Sequence, residues 1–268
     1  MKISVITPTF NSEQYIRQNC QSILSQTYKN FEHLVVDNQS SDATLEIVQA
    51  EYSNCKAAGK ARLFFEQDNG IADAFNKGIA LSTGEIIAFL NSDDYYFNAD
   101  VFQNVIDAFS NDELLFVYGD IFFLDEKYGS NIRKPLLCSL QKGMPFNHPA
   151  MFMKKICFEQ AGVFDTTFRF AMDFELISRM AGNIPNFMER GFYLSGSPLV
   201  FMRAAGASWL REKESVIEVK HALQKNKLWN LSALYFYLMR RMRILLKAFF
   251  EKTGLLFTVK LWRNLKWK

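Results

Sequence analysis

The chain has 268 residues, 49% of them apolar, and a formal charge of +3. That size and composition suit one large α/β domain, or a domain with an appendage, and exclude disordered, collagenous and disulfide-scaffold chains. The charge is uneven: residues 227–268 carry ten Lys/Arg and one acid, Glu251, a net of +9 against −6 for residues 1–226, so an anionic surface is the expected partner of the tail.

In chain order, residues 3–7 read as a β-branched strand. Residues 12–25 have helical spacing at Tyr15, Ile16, Cys20, Ile23 and Leu24. A second strand over 31–36 ends in Asp37-Asn38, and Asp42 suits the cap of a helix over 44–52, with Glu46 near its start. A third strand over 61–65 ends in Glu66-Gln67-Asp68-Asn69-Gly70, and a helix over 71–81 is closed by Ser82-Thr83-Gly84. The apolar run 86–90 then stops at Asn91-Ser92-Asp93-Asp94. Beyond it, 101–109 reads as helix and 115–123 as strand; 127–142 is turn-rich; 150–153 is a short strand before a helix that Gly162 ends; 173–180 is helical.

Uniformly apolar strands separated by helices mean a parallel sheet covered on both faces. Right-handed crossovers then bring the strand-end polar clusters to one edge. Those clusters are Thr7-Pro8-Thr9, Asp37-Asn38, Asp68-Asn69 and Asn91 to Asp94, where ligands of open α/β sheets bind. Adjacent Asp93 and Asp94 repel each other unless a cation or ligand intervenes. Hard carboxylate oxygens suit Mg²⁺ or Mn²⁺ shared with substrate phosphates. Alternatively, Asn91, Ser92 and Asp94 suit a turn that caps the helix near Val101.

The four cysteines (Cys20, Cys55, Cys138, Cys157) form no CxxC pair, so zinc and dithiol chemistry are not indicated and each is expected to pack as a small hydrophobe. No leader is expected at the start, where Pro8 breaks a short apolar stretch, and no spanning helix is expected in the absence of an 18-residue uncharged apolar run. The first strand is followed by Thr7-Pro8-Thr9-Phe10-Asn11-Ser12, with no glycine. Neither a dinucleotide loop nor a Walker loop is present, so a bound nucleotide must have its charge met by a cation and scattered donors.

Four motifs in order, Ser4-Val5-Ile6-Thr7-Pro8-Thr9-Phe10-Asn11, Val35-Val36-Asp37-Asn38-Gln39-Ser40-Ser41-Asp42, Asn69-Gly70-Ile71-Ala72-Asp73-Ala74-Phe75-Asn76-Lys77-Gly78 and the stretch from Ser82 to Asp94, resemble glycosyltransferase family 2. The resemblance spans roughly residues 1–210. It implies the GT-A fold, an α/β, Rossmann-like and mostly parallel sheet flanked by helices. It also implies an inverting transfer from a nucleotide-diphosphate sugar, with uridine the first choice of base, using Mn²⁺ or Mg²⁺. Asp37 resembles the family residue that holds base or ribose; Pro8, Thr9 and Asn11 would line the base pocket; Asp68 and Asp73 would lie near nucleotide or sugar. Asn91-Ser92-Asp93 stands where the family has a DxD-like motif, so Asp93 and Asp94 are the metal candidates. Asp173 stands at the family's catalytic base, with Glu175 as the fallback, and Met172 departs from the usual acid. The stretch Arg203-Ala204-Ala205-Gly206-Ala207-Ser208 resembles a loop near the active site. His148 is either a metal or acceptor contact or a hydrogen-bonded loop residue, and Trp209 either lines the acceptor site or packs.

The residue types fit that chemistry. One in-line displacement needs a single carboxylate to take the acceptor proton, worth roughly 10²–10⁴ in rate, and a dication to stabilise the leaving diphosphate. No second carboxylate is needed as nucleophile. The expected layout is a transferase domain over 1–215, nucleotide-binding in 1–98 and acceptor-binding in 99–215, then a helical amphipathic tail over 216–268. The tail mixes bulky apolar residues with Arg240, Arg241, Arg243, Lys247 and Lys252, which suits a helix lying on an anionic membrane or, alternatively, packing on the domain or on a second copy in a homodimer. Nucleic acid is not an expected partner. The acceptor is then a glycan, lipid-linked, in polysaccharide assembly on the inner, cytoplasmic face of the membrane. The absence of QxxRW speaks against a processive synthase. The rival readings are an inactive sugar-nucleotide-binding scaffold and a sugar nucleotidyltransferase; the carboxylates at 37, 93, 94 and 173 speak against the first and the missing glycine-rich basic loop against the second.

Overall fold

The computed structural model describes residues 1–53, 60–125, 129–204 and 211–253. Four β/α repeats open the chain: β1 (Ile3–Thr9), α1 (Ile16–Leu24), β2 (Phe31–Asp37), α2 (Thr44–Ser53), β3 (Ala61–Phe65), α3 (Ile71–Leu81), β4 (Ile86–Phe89) and, after the short β5 (Tyr95–Tyr96), α4 (Val101–Ala108). Then come β6 (Phe116–Gly119), β7 (Ile121–Leu124), β8 (Asn131–Arg133), β9 (Met151–Lys154), α5 (Ile156–Ala161), α6 (Met172–Asn183), β10 (Gly191–Leu194), β11 (Val200–Arg203), α7 (Glu212–Lys225) and α8 (Leu231–Lys252).

The main sheet has seven strands in the order β10-β6-β9-β4-β1-β2-β3. All its pairings are parallel except those of β9, which runs antiparallel to both β4 and β6. Both faces are covered, as the uniformly apolar strands predict. Ile6, Leu34, Val36, Ile87 and Phe89 pack on α3, α5 and α6, while Ile3, Val5, Ile86 and Ala88 pack on Val101, Phe102 and Val105 of α4. Alternate side chains of one strand therefore enter two different cores. At Gly78 of α3 any side chain would collide with Ile6 of β1, so this glycine sets how closely helix and sheet approach.

The 115–123 run, expected as one strand, is two. β6 belongs to the main sheet and β7 to a second sheet ordered β5-β11-β7-β8. The chain switches at Asp120, whose carbonyl accepts the Leu199 N–H (2.8 Å) and whose carboxylate accepts the Tyr193 hydroxyl (2.7 Å). β6 is buried throughout and β7 alternates between buried and half-buried, so Gly119-Asp120 is the one mark of the switch in an otherwise apolar run.

The boundary drawn at 215/216 falls inside α7, whose Ala222 and Leu223, with Ala233 of α8, are buried in the core shared by α3 and α6. Helix α8 packs on the domain partly through its cations. Arg240 donates to the Lys142 carbonyl, and Arg243 and Lys247 bond Glu212 of α7. Leu231, Leu234, Leu238, Met242, Leu245 and Phe249 face outward instead. Arg240, Arg243 and Lys247 therefore turn towards the domain, where the carbonyl and carboxylate that satisfy them lie. Among the described residues, no helix is long and apolar enough to cross a membrane.

Candidate active site

The carboxyl ends of β1, β2 and β4 converge as the sequence predicts. In register, Thr9 lies opposite Asp37 and Ile6 opposite Phe89. Just beyond them is an open cavity of 470 Å³, lined by Pro8, Thr9, Phe10, Asn11, Ser12, Tyr15, Asn38, Asp68, Gly70, Ile71, Asn91, Ser92 and Asp93. Phe10 is 59% exposed at its rim, an aromatic face with no packing role.

The turn at the end of β4 is pinned from several sides. Asn19 of α1 donates from Nδ2 to the carbonyls of Asn91 (2.9 Å) and Asp94 (3.0 Å), Ser12 and Ser92 share a hydroxyl bond (2.9 Å), and Arg203 Nε donates to the Asp93 carbonyl (3.1 Å). The two aspartates diverge. Asp93 lines the cavity and is partly exposed. Asp94 is buried behind it, accepting the Arg203 N–H at 3.1 Å. Burial raises the pKa of both; Asp93 pushes Asp94 up further, whereas the Arg203 guanidinium pulls Asp93 down.

Asp37 is fully buried under the lip rather than on the lining, where it accepts Thr9 Oγ1 (2.7 Å), Ser40 N–H (2.7 Å) and Ser40 Oγ (2.6 Å). It thereby fixes two neighbouring loops. Asn11 adopts a left-handed conformation (φ 46°) and its Oδ1 accepts the Ser41 N–H (2.9 Å), tying the same loops together. Asp68 sits on the lining, its pKa raised by burial, and accepts the Gly70 N–H at 2.8 Å. Asp73 lies in the first turn of α3, off the lining, accepting the Asn69 N–H (3.0 Å) beside Lys77 (3.9 Å).

Asp173 opens α6 and lines a second cavity of 320 Å³ between α6, α7 and α8. His148 follows Asn147, which lines this second cavity. Its ring stacks on Phe89 at the end of β4 (centroids 5.4 Å apart, 14° between planes), two residues before Asn91. Burial depresses its pKa, and the nearby Asp173 carboxylate pulls it back up. Its Nε2 is buried with no hydrogen-bond partner among the described residues, an expensive state that marks a place for a ligand or water. Glu175, the fallback base, is fully buried and bonded to Arg179 (3.1 Å). It has no access to the cavity.

Residues 4–180 match the family model described as glycosyl transferase family 2. The chain belongs to glycosyltransferase family 2. Curated relatives include an uncharacterized glycosyltransferase of Rickettsia typhi, 29% identical over 191 residues, covering 65% of this chain and 57% of that protein. Another, from Mycobacterium tuberculosis, is 32% identical over 186 residues, covering 67% of this chain and 68% of the relative. The chain thus spans little more than half the length of the Rickettsia relative. Among solved structures, Staphylococcus aureus TarS 1–349 in complex with UDP-GlcNAc shares its fold at a TM-score of 0.70 and 21% identity, over 91% of this chain and 73% of that one. The mannosyltransferase PcManGT of Pyrobaculum calidifontis, in complex with GDP-Man and Mn²⁺, aligns at 0.63 and 18% identity over 98% and 82%. The α/β architecture is therefore the GT-A fold.

In this family 2 chain, the sequence reading missed several lining residues. Tyr15 was assigned to a helix's packing face yet borders the cavity and lies under the Arg203 guanidinium (4.9 Å). Phe10 could have been found as a bulky apolar residue placed after a strand end, where packing does not need one. Arg240, Arg243 and Glu212, which line the Asp173 cavity, carry no local signal, because they reach it only through the fold. Most of the loop read at 203–208, together with Trp209 and Cys55, lies outside the described residues.

Proposed function

We propose that this chain transfers a sugar, with inversion, from a nucleotide-diphosphate donor to a hydroxyl of a lipid-linked glycan in polysaccharide assembly. One observation carries the reading: the carboxyl edge of the sheet has a cavity bordered by Asp93, and a second cavity is bordered by Asp173, whose charge acts on His148, stacked on Phe89 at the end of β4. A donor and an acceptor fit one cavity each, with the anomeric carbon between them. Phe10 and Tyr15 suit the base, with Asn11, Asn38 and Asp68 as polar contacts. Thr9 and Asp37 hold the pocket wall, and Asp173 takes the acceptor proton.

Among the described residues, no three His, Cys, Asp or Glu side chains converge on a point. The donor cavity is lined by two carboxylates, Asp68 and Asp93, the latter with Asn91 and Ser92 beside it. That set suits Mg²⁺ or Mn²⁺ held chiefly by donor phosphates and water. Asp94 is engaged with Arg203, which favours Asp93 as the ligand. A dication held there supplies charge to balance the departing diphosphate. The family assignment supports donor chemistry, and neighbours of this fold have been solved with UDP-GlcNAc and with GDP-Man and Mn²⁺. The outward apolar face of α8 supports attachment to the membrane where a lipid-linked acceptor resides.

The test is a panel of uridine, guanosine and thymidine diphosphate sugars, with and without Mn²⁺, read by thermal protection and by nucleotide diphosphate release. A ligand at 100 times its Kd stabilises the folded chain by about 2.7 kcal/mol. Protection plus metal-stimulated release supports the reading. Protection without release in the presence of membrane extracts favours the scaffold, and no protection by any member of the panel overturns both.

A further inference from the structure

We propose that the cavity between α6, α7 and α8 holds the phosphate that joins the acceptor glycan to its lipid, with Arg240 as the phosphate contact. This rests on the transferase reading and names the acceptor's chemistry.

The charges around the cavity are unevenly matched. Glu212 of α7 is bonded to both Arg243 (2.6 Å) and Lys247 (3.0 Å) of α8, so its carboxylate is already shared between two cations. Asp173 is across the cavity, assigned to the acceptor hydroxyl. Arg240, among the described residues, has no carboxylate partner; its Nη2 donates to one neutral acceptor, the Lys142 carbonyl. A guanidinium has five N–H donors in a planar fork that matches a phosphate, which leaves most of that fork for a ligand. The surroundings are shaped for it. Gly143 has φ +149°, and any side chain there would collide with the Arg240 guanidinium. Burial and the neighbouring Arg243 disfavour the Arg240 charge and outweigh the opposing pull of Cys138 and Glu212, a balance that an anion in the cavity shifts back towards the charged form.

The same helix says where that anion comes from. Arg240 and Arg243 line the cavity on one face of α8. On the outer face Leu238 is 55% and Leu245 66% exposed, continuous with Leu234, Met242 and Phe249. An α-helix is only about 10 Å across, so a phosphate bound inside lies within one helix diameter of an apolar surface suited to acyl or isoprenoid chains. A soluble phosphosugar would use the inner face and leave the outer one without a purpose.

The experiment measures co-sedimentation of the full chain with phosphatidylcholine vesicles doped with a polyprenyl phosphate, against vesicles brought to equal surface charge with phosphatidylglycerol. Wild type should prefer the polyprenyl phosphate by about 10-fold, the scale of one charge-assisted hydrogen bond. Arg240→Gln should lose that preference while binding phosphatidylglycerol vesicles as wild type does and melting at the same temperature. Leu238→Glu combined with Leu245→Glu should release the protein from both kinds of vesicle. Equal preference in Arg240→Gln and wild type overturns the proposal. Inorganic pyrophosphate is the free-anion arm: heat protection of wild type but not of Arg240→Gln, with no preference between vesicles, would overturn the lipid source. Sugar-nucleotide protection is followed in parallel. Its loss in wild type would count against the transferase reading, whereas its retention in Arg240→Gln alongside lost lipid preference isolates the phosphate contact.

Discussion

His33 provides a pH dependence whose size can be worked out. It lies on β2, fully buried, with Nδ1 at 2.5 Å from the Tyr52 hydroxyl of α2 and Nε2 at 2.9 Å from Thr7 Oγ1 of β1, directly beneath the donor-cavity strand ends. Burial lowers its pKa from 6.5 to about 3, so the folded protein keeps it neutral at every physiological pH. The unfolded chain titrates it normally. Below the unfolded pKa the unfolded state binds the extra proton, so stability falls as pH falls from about 6.5 towards about 3. Integrated from about pH 7.5 to about pH 5, this one group removes about 2 kcal/mol. That is a large fraction of a typical 5–15 kcal/mol total, of the order given for native domains. His148 is depressed in the same direction by burial, so the wild-type slope contains both. His33→Asn isolates the first. Urea unfolding at a series of pH values should show the variant less stable at neutral pH but flatter, its deficit narrowing by about 2 kcal/mol across that window. Parallel curves for the two proteins would refute the argument, because they would mean that His33 is protonated in the fold.

Asp173→Asn should keep donor protection while lowering transfer by about 10²–10⁴-fold, the range for loss of a general base; near-normal turnover removes it from that role. Asp93→Asn should abolish the Mn²⁺-dependent part of donor binding, whereas Asp94→Asn retains an oxygen for the Arg203 N–H and should leave metal dependence intact. Isothermal titration with and without metal separates the two, and the opposite ranking would reassign the ligand. Gly78→Ala should destabilise by about 1–3 kcal/mol, as overpacking against Ile6 outweighs the helix propensity gained, about 1 kcal/mol; a stabilised variant in urea melts would show that β1 and α3 have room to separate.

The N-terminal half of the fold was legible because each of its signals is local. Apolar strands, capped helices and polar strand ends lie within single repeats, and parallel crossovers force the ends together. Asp42, chosen as a cap from sequence, accepts the Thr44 N–H at 3.0 Å. The C-terminal half was legible only in part. Asp173 was singled out by resemblance alone, and its neighbours in the cavity come from segments far away in sequence. The split at Asp120 was marked only by Gly119-Asp120 between two apolar stretches, and the orientation of α8 was hidden because its composition is amphipathic whichever face turns inward.

From its sequence alone this chain determined its class and the edge of the sheet at which Asp37, Asp68 and Asp93 gather, since hydrophobic period and strand-end polarity are properties of neighbouring residues. Only the tertiary structure decided which of two adjacent aspartates faces the cavity, which acid near the start of α6 is free to act and which face of the last helix meets solvent. Those choices depend on partners such as Arg203, Arg179 and Glu212, each brought into place by long-range packing.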